Sequence, residues 1–135
     1  MKDVNLRIRE AIIKNILLEA GVTRIEFEGP EIALYVTRRE LLVEEEVLKR
    51  VAKEIKKRII VRSDPSIRMD KQKAIDYIYR EIRGLSDKVD VKNVFFDDTF
   101  GEVYIIVEGL SYLSEKSEEI IKNITVTTSW KPKLI

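Results

Sequence analysis

The amino-acid sequence predicts an α+β protein built from two tandem copies of one small unit, each a three-stranded sheet with helices on one face. Three observations predict it. Apolar residues switch along the chain between a helical period and a period of two. The resulting order, helix–strand–strand–helix–strand, occurs twice. The strand letters also return at an offset of about 70 residues: Val22-x-x-Ile25-x-Phe27 matches Val91-x-x-Val94-x-Phe96, and Glu31-Ile32-Ala33-Leu34-Tyr35-Val36 matches Glu102-Val103-Tyr104-Ile105-Ile106-Val107.

In the first copy, Ile8, Ile12, Ile13, Ile16, Leu17 and Ala20 share one face of a helix over residues 4–20, and Gly21 stands where a C-terminal cap belongs. Residues 23–28 alternate polar and apolar, as a strand with one wet face does. Gly29-Pro30 turns the chain, and Glu31–Val36 returns as an antiparallel partner. Helical spacing resumes over residues 40–58 through Val47, Leu48, Val51, Ala52 and Ile55. Glu44, Glu45 and Glu46 lie near its start and Lys53, Lys56, Lys57 and Arg58 at its end, the order that complements a helix dipole. Ile59-Ile60-Val61 reads as a short buried strand. Asp64-Pro65-Ser66 ends it, so the unit boundary divides residues 1–64 from 65–135, with Asp64 or Ser66 available to cap the next helix.

The second copy follows the same course. Ile75, Ile78, Tyr79 and Ile82 align on a helix over residues 70–83 that ends before Gly84. Residues 91–96 form a strand, 97–101 a turn and 102–107 a second strand. A weaker helix over 110–128 is anchored by Ile120, Ile121 and Ile124, and residues 130–135 form the last strand.

Composition bounds the function. With 135 residues and 44% hydrophobic side chains, the chain can build a core, and 36% charge is high even for a small, mostly surface protein. Net charge is only +1: residues 1–65 hold 14 basic and 12 acidic side chains, and residues 66–135 hold 11 and 12. Any nucleic-acid binding therefore depends on a local patch. The chain has no Cys and no His. That excludes disulfides, thiolate or imidazole zinc sites, and Ser-His or Cys-His nucleophile pairs, so no catalytic residue and no cofactor is expected. No apolar run reaches the length of a membrane span, and the start is charged rather than signal-like, so a cytoplasmic protein without membrane association is expected.

The order α–β–β–α–α–β, with the second long helix of each half broken in two, is that of a prokaryotic-type KH unit. The tight turn between those helices is where KH domains clamp a nucleic-acid backbone. Three stretches carry a closer resemblance: residues 25–32 (IEFEGPEI), residues 57–68 (KRIIVRSDPSIR) and residues 124–133 (ITVTTSWKPK). They resemble the archaeal homologues of the cleavage and polyadenylation specificity factor, β-CASP metallo-β-lactamase ribonucleases with two KH-type modules ahead of the nuclease. The resemblance covers the whole chain and implies its RNA-binding front portion only. The nuclease needs His and Asp metal ligands, which a chain without His does not supply. It further implies work in mRNA 3′-end processing and transcription termination, with a β-CASP nuclease domain as partner in cis or in trans.

In that family the second module carries a Gly-Lys-Gly-Gly-like turn. The matching stretch here is Glu115-Lys116-Ser117-Glu118, which lacks both outer glycines and puts carboxylates where a phosphate would approach. The first module offers Glu44-Glu45-Glu46-Val47. Lys116, Ser117 and Lys122 at the second turn, Arg38 and Arg39 ahead of the first, and Arg62, Arg68, Lys131 and Lys133 beyond are the expected contacts to single-stranded RNA, against the alternative of a solvated surface. For Lys53 to Arg58 the helix dipole is explanation enough. Phe95 or Trp130 could stack a base, or be interface or core. Asp97-Asp98 and Asp87…Asp90 read as turn formers before metal ligands. The rival to RNA binding is a degenerate KH scaffold kept for protein–protein contact, as a homodimer or docked to RNA-processing machinery. An unrecognised enzyme is the weakest reading.

Overall fold

A computed structural model describes Arg7, Glu10, residues 21–43, Ala52, Lys53 and residues 56–135. The chain divides into two compact units, Met1–Asp64 and Pro65–Ile135. In the first, β1 (Val22–Glu28) and β2 (Glu31–Val36) pair antiparallel, and β3 (Arg58–Ser63) joins the far edge of β2 in parallel. In the second, β4 (Asp90–Asp97), β5 (Glu102–Glu108) and β6 (Lys131–Leu134) repeat that arrangement, with α1 (Lys71–Arg83) before the sheet and α2 (Ser117–Thr128) between its last two strands.

The repetition reaches the register. Phe27 faces Ile32 as Phe96 faces Val103, and Leu34 faces Val61 as Ile105 faces Leu134. Even the irregularity recurs, between Val22 and Arg24 in β1 and between Val91 and Asn93 in β4. A bulge at the same place in both copies keeps the inward residues on the core side, because a one-residue slip would turn every side chain over.

The core of the second unit joins Ile78 and Ile82 of α1, Ile120 and Ile124 of α2, and Val103 and Ile105 of β5, all essentially buried. Trp130 closes it: the indole N–H donates to the Met69 carbonyl at 2.9 Å, and the ring meets Phe96 edge-on at 4.8 Å. Trp130 is therefore a core residue with its one polar atom satisfied, and stacking on a base is not open to it. In the first unit Ile32, Leu34, Val36, Leu41, Leu42 and Val61 form the corresponding cluster.

Several expectations change. The helix over 4–20 and most of that over 40–58 lie outside the described residues, with Arg7, Glu10, Ala52 and Lys53 helical. Residues Arg39–Leu42, expected to open an α-helix, make a 3-10 turn pinned by buried Leu41 and Leu42. The weak helix over 110–128 divides into a 3-10 turn, Leu110–Leu113, a bend, and α2. Neither Asp64 nor Ser66 caps α1: residues Pro65–Ile67 form their own 3-10 turn, and the Asp70 carboxylate accepts the Lys73 N–H at 3.4 Å.

The central strand should be the most sensitive element. Ile105→Ala removes a fully buried side chain between α2 and the sheet and is expected to cost about 2–5 kcal/mol, read from urea unfolding of the full chain. A loss below about 1 kcal/mol would show that this strand does not anchor the core.

Candidate nucleic-acid interface

The second unit forms its bend as follows. β5 ends, and Gly109 turns the chain at φ +80 with its α-carbon against the Lys88 carbonyl, where an added Cβ would lie 2.2 Å from that oxygen. Only glycine fits both demands. The 3-10 turn Leu110–Leu113 follows and buries Leu113 in the core, which leaves Tyr112 59% exposed beside it. Residues 114–116 then swing out, and the Lys116 N–H donates to the Leu113 carbonyl at 2.9 Å. α2 starts at Ser117, whose hydroxyl donates to the Ser114 carbonyl at 3.3 Å.

Two features of this bend bear on ligands. It is exposed: Ser114, Glu115, Lys116 and Glu118 all face solvent. The start of α2 has no side-chain cap, so its first-turn N–H groups keep their positive end of the helix dipole uncovered by a capping oxygen. Lys116 has φ −110, an ordinary value for a residue with a side chain. The missing glycines therefore impose no backbone strain here; what Glu115 and Glu118 change is charge. Lys122 is exposed further along α2.

In the first unit a 3-10 turn, Arg39–Leu42, likewise follows the second strand. Arg38 and Arg39 lie beyond the end of β2, not within it, and both are exposed. The Arg38 guanidinium stands 3.9 Å from Glu40. The expected turn at Glu44–Val47 falls outside the described residues.

The remaining predicted contacts scatter. Arg62 is 6% exposed, and its guanidinium donates to the Glu28 carboxylate at 2.7 Å and to the Tyr35 hydroxyl at 3.5 Å. Arg24 lies over the same ring at 3.9 Å. An arginine inside that network has no face for a phosphate, so Arg62 is withdrawn from the expected contacts. It shores up the outer face of the first sheet. Lys131 is half-buried in β6, and Lys133 pairs with Glu102 at 2.9 Å. Arg68 donates to the Asp98 carbonyl at 2.6 Å and lies over the Trp130 ring. These three do not join the bend. Tyr112 does, with the Lys88 ammonium 5.0 Å from its ring. Helical spacing over residues 110–128 hides it in the sequence, although an aromatic ahead of the turn is a usable signal.

The acidic pairs serve local structure. The Asp97 carboxylate accepts the N–H groups of Thr99 and Phe100 at 3.0 and 3.2 Å, Asp98 holds Lys71 at 2.9 Å, and Asp90 holds Arg83 and Lys92. Among the described residues no three carboxylates converge to hold a metal, and no helix is long and apolar enough to cross a membrane.

Residues 2–68 match the family model described as "Transcription termination factor FttA, KH domain". The chain is similar along nearly its whole length to proteins named transcription termination factor FttA: 35% identical to that of Thermococcus kodakarensis over 98% of the chain, 35% to that of Methanothermobacter thermautotrophicus over 95%, and 37% to that of Lokiarchaeum sp. over 96%. It spans about 20% of the length of each of these relatives.

The Arg62–Glu28 pair gives a pH test. The hydrogen bond from Arg62 holds the Glu28 carboxyl below its ordinary value of 4.5, against the opposing effect of burial. A depressed carboxyl adds stability above its unfolded pKa, and that part is lost as pH falls through the lower folded value. Wild type should therefore exceed Glu28→Gln in urea stability near neutrality, and the gap should close below about pH 4. A gap unchanged in acid would mean that the pair is not an ion pair.

Proposed function

We propose, from the premise that this chain belongs through residues 2–68 to the KH-domain family of transcription termination factor FttA, that it is a non-catalytic RNA-binding region working in transcription termination. Its two units are read as tandem prokaryotic-type KH-like modules, residues 1–64 and 65–135. The observation that carries this reading is the exposed bend at residues 114–116 opening onto the uncapped start of α2, with Lys116 beside it. Backbone N–H groups at a helix start attract anionic phosphate oxygens, and a lysine at that point adds a full charge.

Binding is modest in this reading, because Glu115, Glu118 and Glu119 surround the same approach. Lys116, Ser117 and Lys122 contact the RNA in the second module, and Arg38 and Arg39 serve the first. The finer proposal is that RNA held in this way is presented to a β-CASP ribonuclease domain, in cis or in trans, in the cytoplasm. The resemblance of the three sequence stretches named above supports it.

One observation favours protein contact as the second reading. The outer face of the second sheet exposes Phe95 (51%), Ile106 and Ile135 (58%), beside the balanced pairs Lys133–Glu102 and Lys92–Glu108. A neutral apolar face of this kind suits a second copy better than a polyanion.

Two variants separate the readings. Lys116→Glu should weaken binding of a labelled oligouridine about fivefold and lower the salt slope by about 0.7. Glu115→Gln with Glu118→Gln should strengthen it severalfold, because only charge obstructs the bend. RNA affinity indifferent to both, together with a dimer in light scattering that Phe95→Ser dissolves, would transfer the function to the sheet face.

A further inference from the structure

At the opposite end of β2 from Arg38, the first unit has an open cavity of about 560 Å³ lined by Pro30, Glu31, Lys53, Lys56, Lys57 and Arg58. It is made where a helical segment stops against the β1–β2 hairpin. The Lys57 N–H donates to the Ala52 carbonyl at 3.3 Å, and Lys56 takes φ +57. A bond of that span with a left-handed residue inside it is a helix ending that glycine makes without strain. Here a lysine holds the position, and its charge joins the lining.

The charges do not cancel. Arg58 pairs with Glu31 at 3.3 Å, which occupies the one carboxylate among the described lining residues. Among the described residues, no carboxylate pairs with Lys53, Lys56 or Lys57. The carbonyl end of a helix offers about half a negative charge, which three ammonium groups outweigh. A helix dipole therefore explains why one or two cations are tolerated there; it does not account for three of them lining one concavity.

We propose that this cavity is a second phosphate-binding site for the backbone of single-stranded RNA, an inference that rests on the RNA-binding reading above. Among the described residues no aromatic side chain lines it, so they offer no platform for a base, and its lysines act as point charges without a fixed hydrogen-bonding fork. The contact is thus to phosphate and independent of sequence. β2 separates it from Arg38 and Arg39 by about 20 Å, so one strand touching both lies along the first sheet. The helix-end basic run that the sequence left as dipole complementarity becomes, on this account, one end of an RNA track.

The test is fluorescence anisotropy of the full chain with labelled oligouridine and oligoadenosine over a salt series. The variant is Lys53→Glu with Lys57→Glu; the control is Lys73→Glu with Arg80→Glu, an equal charge change on exposed positions of α1 in the second unit. The cavity variant should lose about tenfold in affinity for both oligomers and about 1.4 in salt slope, and the control much less. Lys53→Gln with Lys57→Gln, which adds no repulsion, should fall between. A cavity variant with wild-type affinity and slope, while Lys116→Glu still weakens binding, overturns this site alone. Equal losses in cavity variant and control reduce it to bulk charge and overturn it too. Absence of salt-dependent binding by the wild type overturns the RNA reading and this site together. Unchanged RNA binding with lost binding of polyglutamate assigns the cavity to an acidic protein instead.

Discussion

β2 takes β1 antiparallel along one edge and β3 parallel along the other, and β5 does the same with β4 and β6. An antiparallel neighbour needs only a hairpin. A parallel neighbour forces the chain to leave the sheet, cross a face and come back at the starting end. In the second unit that return path is residues 109–130, and it must bury an apolar helix face on the sheet while it travels. α2 does so through Ile120 and Ile124. A crossing of this kind has to turn at the end of the sheet before its helix can start. The bend at residues 114–116 is that turn, anchored from below by Leu113 and left outside the core. The proposed function thus occupies a place where the fold leaves backbone both anchored and exposed.

The two units solve their outer sheet faces differently. Tyr35 and Arg62, opposite each other in the first sheet, are buried in a network with Glu28 and Arg24. The corresponding places in the second sheet hold Ile106 and Ile135, which are exposed. The first unit thus carries a buried polar network where the second carries exposed apolar side chains. The two units thus differ on this face, with charged and polar groups on the first and exposed apolar side chains on the second.

Much of this was legible in the residues. Period-two runs bounded by Gly29-Pro30 and by Asp97–Gly101 located β1, β2, β4 and β5, because alternate residues of each strand enter the apolar core and the pattern records it. Helix starts were less legible: Asp64, Ser66 and Asp70 all look like caps, and only packing selects Asp70. The 3-10 turns at Arg39–Leu42 and Leu110–Leu113 were hidden because a short turn with two apolar anchors has the same spacing as the first turn of an α-helix. Arg62 misled because its letter says surface cation, while its partners Glu28 and Tyr35 lie 34 and 27 residues away in sequence. The cavity at Lys53–Arg58 was invisible as a cavity, since its far wall, Pro30 and Glu31, comes from the preceding hairpin.

The most direct measurement of the central claim is a backbone amide NMR titration of the intact chain with oligouridine. The account predicts that the largest shifts fall on the amides of residues 113–119, where N–H groups at the start of α2 meet phosphate, and that added salt reverses them. Shifts confined to the Phe95–Ile106 face of the second sheet, with residues 113–119 unmoved, would contradict it.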